Sequence, residues 1–374
     1  MELGAGMTDG SIVAGGCFRR VLLSWRCPVR SLLLFMNTSV RKIRWGVLGY
    51  ARIACEAVIP AILRSSNSVF HAIASRETAK LDACGEKFGP VKTHHSYESL
   101  LADPEVDAVY IPLPNALHRE WTIKAAGHGK HVLCEKPIGL TAGECREMIA
   151  ASARHGVTLM EAFMYRYTDC TRKVIEVLRS GELGEIRQIN STFRFPLTNP
   201  ASIKHRPELG GGSLYDVGCY PLNFTGLVVD ELDRIHAGDT DRPLAALQLP
   251  EAVSVQCVKE GGVDVIFAAL LKYRSGPIAS VACGFNAQKQ IESQIVGSKG
   301  VLQVPDTFLE DAGSLTITVD GKVAKTIPVE KSDRYRLEVE DFAHAVLNKR
   351  APLFGLDETL RNMELIDRLL AASR

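Results

Sequence analysis

The chain has 374 residues, too long for one ordinary domain and long enough for two, each with a core of its own. Hydrophobic residues make up 46% and charged residues 23%, the balance of a globular protein rather than a disordered or fibrous one. Lys plus Arg (44) nearly equals Asp plus Glu (43), so the sequence offers no basic field to hold a nucleic-acid backbone or an anionic membrane surface.

Residues 1–40 stand apart. Arg19, Arg20, Arg26 and Arg30 interrupt short apolar runs, and only Glu2 and Asp9 are acidic. No uncharged stretch approaches the roughly 18–20 residues of a membrane helix. The segment has something of an arginine-rich, acid-poor transit peptide, and it also suits an over-long reading frame in which Met36 is the natural start. The second reading is adopted, and the segment is set aside from the fold.

From residue 42 to 160, short hydrophobic runs alternate with segments of helical period. Strands are predicted over 43–48, 69–75, 106–111, 131–134 and 157–160, with helices beginning near Ile53, Glu77, His118 and Thr141. Runs this apolar are buried on both faces, as in a parallel sheet covered by helices on each side. A helix over 170–179 ends at Ser180-Gly181, and the texture then changes. Strands over 185–195, 253–259, 263–273 and 277–285, separated by turn signals at 260–262 and 274–277, read as an antiparallel meander. Helices over 335–347 and 357–370 close the chain. Ten scattered cysteines never reach C-x-x-C spacing, so they read as free thiols of the cytoplasm and no metal centre is expected.

The first strand runs into Gly49-Tyr50-Ala51-Arg52-Ile53-Ala54, with Gly46 three residues earlier. In a dinucleotide fingerprint the glycines permit a tight turn and close approach of a pyrophosphate to a helix N-terminus; here Ala51 replaces the second glycine. The second strand ends Ala74-Ser75-Arg76, with no acid where NAD would need one for its ribose 2′-hydroxyl. Ser75 and Arg76 suit a 2′-phosphate instead, which favours NADP, with NAD as the alternative. The fold class is therefore an α/β Rossmann domain over 41–162 followed by an α+β domain over 163–374, whose last helix either stays there or packs back on the first domain.

Two further strand ends carry Pro112-Leu113-Pro114-Asn115-Ala116-Leu117-His118 and Glu135-Lys136-Pro137. With the glycine turn, their order and spacing resemble the glucose-fructose oxidoreductase and inositol dehydrogenase family, Gfo/Idh/MocA, over everything from about residue 43 onward. The resemblance implies a large, mostly antiparallel open-faced sheet in the second domain and a homodimer or homotetramer formed through it. It also implies Lys136 between nicotinamide and substrate, and Pro112, Leu113, Asn115, His118 and Glu135 around the cofactor. His118 has the alternative of a first-turn helix residue.

In the second domain Gly210-Gly-Gly-Ser-Leu-Tyr215-Asp216-Val-Gly218-Cys-Tyr220-Pro-Leu-Asn223 reads as a flexible glycine approach followed by Asp216 and Tyr220, which share a face if a helix starts here. Many members resemble Asp-x-Gly-x-His-x-x-Asp; this chain has Tyr220 for the histidine and Asn223 for the second aspartate. Tyrosine there is similar to the branch of sugar and dihydrodiol dehydrogenases that use it as acid/base. Lowering a phenol from about 10 to 7 takes about 4 kcal/mol, which an ammonium about 4 Å away supplies at an effective dielectric near 20. Lys136 is assigned that part. Asp216 binds a substrate hydroxyl, orients Lys136, or caps the next helix. Glu161 and Arg166 reach the cofactor or pair as ions; Arg194 is a lesser candidate for the substrate side, and the loop 197–207 for specificity. The function implied is hydride transfer between NADP and a sugar, polyol or cyclic diol. A silent NADP-binding regulator and the family's NAD-dependent glycosidases are the rivals.

Overall fold

The computed structural model describes residues 41–374 except 241–243, 245, 275, 310–312 and 374, so the readings of residues 1–40 lie outside the described residues. Six strands, β1 (Ile43–Leu48), β2 (Ser68–Ala74), β3 (Lys92–His94), β4 (Ala108–Ile111), β5 (His131–Glu135) and β6 (Leu159–Ala162), form a sheet in the order β3-β2-β1-β4-β5-β6 with every neighbour parallel. Helices cover both faces: a π-helical turn (Ala54–Val58) running into α1 (Ile59–Arg64), then α2 (Thr78–Phe88), α3 (Tyr97–Leu101), α4 (His118–Gly127) and α5 (Ala142–His155). Val47, Leu48, Val109, Tyr110 and Leu133 are accordingly sealed from solvent although they point to opposite sides. The strand order reverses between β1 and β4, and the crevice beyond the carboxyl ends at such a switch point is where open α/β sheets take ligands.

A helix, α6 (Asp169–Ser180), leads to β7 (Ile186–Arg194) of a second sheet. After a second π-helical turn (Leu214–Gly218) come α7 (Cys219–Ala237), β8 (Ala252–Glu260), β9 (Val263–Lys272), β10 (Ile278–Gly284), β11 (Gln290–Gly297), β12 (Val301–Pro305), β13 (Gly313–Val319) and β14 (Lys322–Val329). The order is β14-β13-β12-β11-β7-β10-β9-β8, antiparallel except where β10 meets β7. The meander therefore holds for β8 to β10 only, because β7 inserts between β10 and β11. Helix α7 is buried from Cys219 to Leu232, its acidic Asp230 and Glu231 neutralised by Arg361 and Arg179, and lies between this sheet and the C-terminal α9 (Leu356–Ala372). The sheet's other face shows Val258, Ile266, Leu270 and Ile278, 41–52% exposed.

The last two helices return to the first sheet. On α8 (Arg334–Asn348), Phe342 lies 5.1 Å from the Trp45 ring of β1, while α9 packs on α5, α7 and β6. Among the described residues no helix is long and apolar enough to cross a membrane.

Candidate active site

At the end of β1, Gly49 adopts φ +99, a region open to glycine, and a Cβ there would stand 3.2 Å from Leu113 and 3.3 Å from the Tyr97 hydroxyl. The backbone is thus bare at the switch point, as a pyrophosphate site requires. Gly46 has another role: a Cβ would meet Leu100 at 2.6 Å, so this glycine packs strand on helix. In the turn itself, Tyr50 accepts a hydrogen bond from the Cys55 thiol (3.0 Å), the Ala51 carbonyl accepts from the Cys55 amide (3.0 Å), and the exposed Arg52 pairs with Glu56 (3.3 Å). Ile53 ends the turn as the first helix begins.

Ser75 at the end of β2 is buried and its hydroxyl accepts from the Glu77 amide at 3.1 Å, which leaves its own proton to donate. Arg76 is exposed, with no hydrogen bond or ion pair to any described residue. The nearest acid in the chain, Glu77, is turned to Lys80 (2.6 Å). A bare glycine turn followed by a free guanidinium fits a dinucleotide carrying an added phosphate.

Two residues expected at the cofactor are engaged by the protein itself. His118 is fully buried, its ring nitrogens 2.8 Å from the carbonyls of Pro137 and Leu113, so it ties the loops after β4 and β5 together from beneath. Burial pushes it below the ordinary histidine value against the pull of those two carbonyls. Arg166 is buried, pairs through Nη1 with Glu358 of α9 (2.6 Å) and lies over the Phe354 ring (5.2 Å). Its partner is not Glu161, which instead accepts from the Ile138 amide (2.8 Å) and so braces the Lys136-Pro137 turn. Asn115 donates to the carbonyl of Gly210 (2.9 Å), and buried Pro112 with half-buried Leu113 completes the rim. Tyr110, which no motif marks, donates to Glu135 at 2.6 Å. Burial raises the Glu135 carboxyl, with Lys136 opposing.

The glycine run is no flexible approach. A Cβ on Gly211 would strike the carbonyls of Lys204 (2.5 Å) and Arg206 (2.8 Å), and one on Gly212 would strike Asp264 (2.4 Å), so the run is a close-packed elbow. Asp264 of β9 anchors the segment beyond the elbow: its carboxylate accepts from the Ser213 hydroxyl (2.6 Å) and the Leu214 amide (2.8 Å), satisfying donors that open the second π-helical turn. That turn delivers Asp216 to Lys136. The Lys136 ammonium donates to the Asp216 carbonyl at 2.7 Å and faces its carboxylate at 3.8 Å, while Lys204 closes on the other carboxylate oxygen at 2.6 Å. Asp216 caps no helix. Burial works against the Lys136 charge, but Asp216 and Glu135 outweigh it and hold the ammonium above the ordinary lysine value.

Tyr220 lies one turn on, 5% exposed, among the rings of Phe163, Phe193 and Phe308, each 5.4 Å away. Lys136 sits over its face, 4.9 Å from the centroid, and the hydroxyl donates to the Met164 sulfur at 3.5 Å. Burial drives this phenol well above its usual value, so the expectation that Lys136 lowers it is not met: the ammonium touches the ring rather than the oxygen. Tyr165 donates to Asn223 at 2.5 Å. Arg194 lies on the outer face of its strand, opposite Phe193, and pairs there with Gln290, away from this site.

Residues 43–163 match the oxidoreductase family with an NAD-binding Rossmann fold, GFO_IDH_MocA, and residues 171–303 match a C-terminal domain of the same family. The chain is 38% identical over 329 residues to a D-xylose 1-dehydrogenase (NADP(+)) of Haloferax volcanii, covering 87% of this chain and 95% of that one. It is 30% identical to a trans-1,2-dihydrobenzene-1,2-diol dehydrogenase of Xenopus laevis, over 87% and 97% of the two chains. Its fold matches a 3-ketoreductase from Actinomadura kijaniata, solved with NADP and TDP-benzene, with a TM-score of 0.79 and 29% identity over 89% of this chain and 98% of that one. With its glycine turn, Glu-Lys-Pro turn and two sheets in the expected order, the chain belongs to the Gfo/Idh/MocA family of oxidoreductases.

Proposed function

We propose that this protein is an NADP-dependent oxidoreductase acting on a hydroxyl-bearing carbon of a sugar, polyol or cyclic diol. The observations that carry the reading are a bare glycine turn at the switch point and the enclosed Lys136–Asp216 pair just beyond β5 of the same sheet. NADP, when bound, supplies the acceptor or donor of hydride. Gly49 to Ile53 would hold its pyrophosphate, Ser75 and Arg76 its 2′-phosphate, and Pro112, Leu113 and Asn115 its nicotinamide end. Lys136 gives or takes the proton at the substrate oxygen and stabilises negative charge there, with the Tyr220 ring as the platform that holds it. The relatives' activities, NADP-dependent dehydrogenation of xylose and dehydrogenation of a cyclic diol, support this class.

Cofactor choice tests the ribose site directly. A charged contact of about 1.5–3 kcal/mol is at stake at Arg76. Arg76→Ala should weaken NADP binding by about 10- to 100-fold in calorimetric titration and leave NAD unaffected; equal loss for both would remove Arg76 from the 2′-phosphate.

The exposed apolar face of the second sheet is proposed as the contact between copies in a homodimer or homotetramer. Leu270→Glu should dissociate it in sedimentation, and a monomeric wild type would contradict it. The eight described cysteines are free thiols, which supports a place in the cytoplasm. Fractionation that finds the protein inside an organelle would overturn that placement.

A further inference from the structure

Oxidation or reduction of this class exchanges one proton with solvent per turnover, and Lys136 is enclosed, with 14% of its side chain exposed. Its route outward is visible. Asp216 faces Lys136 with Oδ1 at 3.8 Å and holds Lys204 on Oδ2 at 2.6 Å; Lys204 is 31% exposed, more than twice as open as Lys136. Lys204 is anchored for this position. It belongs to a short 3₁₀ turn (Ile203–His205), its carbonyl accepts from the Gly212 amide at 2.9 Å, and its ammonium rests over the Phe195 ring at 5.0 Å. Of the other polar groups near Lys136, Glu161 accepts from the Ile138 amide and the Tyr220 hydroxyl donates to the Met164 sulfur, while Glu135, which accepts from Tyr110, and Tyr335 are half-buried and hold no second ammonium as Asp216 does.

Resting on the site reading above, we propose that Lys204 is a proton-relay residue that exchanges the Lys136 proton with solvent through the Asp216 carboxylate. In the reductive direction the carbonyl carbon receives hydride, the C=O electron pair moves onto oxygen, and that oxygen takes a proton from Lys136 Nζ. The amine left behind takes a proton from the Asp216 carboxyl, which has received one from Lys204 Nζ on its other oxygen and turned to present it. Lys204 is recharged by water. One proton is consumed for each carbonyl reduced, all three side chains return to their starting state, and oxidation runs the same steps backward.

The test uses the full chain labelled with 15N-lysine, without cofactor, and reads hydrogen exchange between the Lys136 ammonium and water by NMR, the signal being assigned by its loss in Lys136→Arg. Lys204→Met should slow that exchange by at least about tenfold. Lys204→Arg keeps the ion pair with Asp216 but does not release protons, and should slow it equally. Unchanged exchange in Lys204→Met overturns the relay, and so does recovery in Lys204→Arg, which would give Lys204 a charge-holding role only. Matching unfolding midpoints establish that the variants are folded. With a sugar or diol that wild type turns over, both variants should lower kcat rather than raise KM, show a larger solvent deuterium isotope effect, and be rescued by methylamine. Slowed exchange combined with no wild-type turnover on any sugar or diol would sink the oxidoreductase reading and leave the proton path standing.

Discussion

Glu161 is sealed at the end of β6 with one carboxyl oxygen on the Ile138 amide and the Thr359 hydroxyl as its other polar neighbour. Burial raises it to about 8, so in the folded protein it is a neutral acid at pH 7, whereas the unfolded chain ionises near the ordinary 4.5. Between those values the folded state binds more protons than the unfolded one. Stability therefore falls as pH rises through that window, by about 1.4 kcal/mol per unit, and the penalty is absent below it. Glu161→Gln keeps the acceptor for Ile138 and removes the titration. In urea unfolding from pH 5 to 8 it should gain on wild type at about that slope; a difference that stays flat would show that Glu161 is ionised in the folded state. At this scale, the bare turn at Gly49 and the position of Lys136 at a strand end were legible because each is fixed by neighbours in sequence. The ion-pair partner of Arg166 was not legible because it lies 192 residues away, and Lys204 was named only within a loop because no motif joins it to Asp216, twelve residues on.

The second π-helical turn leads into α7, and the donors that open it are held by one carboxylate. With Asp264→Ala the Ser213 hydroxyl and Leu214 amide would be buried without an acceptor, at a cost of about 2–3 kcal/mol, while Asp264→Asn keeps an acceptor. Denaturant unfolding should rank the three proteins wild type, Asn, Ala; an Ala variant within about 0.5 kcal/mol of wild type would mean that the turn is held by other contacts. Elements with strong periodicity were read correctly in kind and shifted by a residue or two at their ends. Those missed have physical reasons. Strand β3 is three half-polar residues at a sheet edge, and the β11 to β14 region alternates apolar residues such as Ile291 and Ile295 with glutamine, glutamate and serine, a period-two signal among weak hydrophobes. The insertion of β7 beside β10 has no local pattern behind it, since pairing partners are set by the whole sheet.

Across the molecule, the two sheets are joined by the chain's last helices: α8 supplies Phe342 to the Trp45 core, and α9 carries Glu358 to Arg166 and Arg361 to the buried Asp230 of α7. The Gly49 turn ends β1, and the Lys136–Asp216 pair ties the end of β5 to the turn that opens α7. The most direct measurement is absorbance at the reduced-nicotinamide band, with purified protein, NADP or NAD, and a panel of aldoses, inositols and cyclic diols, comparing wild type with Lys136→Ala and Tyr220→Phe. Expected are reduction of NADP with at least one class, a loss of about 100-fold or more in Lys136→Ala, and survival of most of the rate in Tyr220→Phe. Turnover that persists in Lys136→Ala, or disappears in a folded Tyr220→Phe, would contradict the assigned proton chemistry; tight NADP binding without turnover on any member would make the protein a regulator instead.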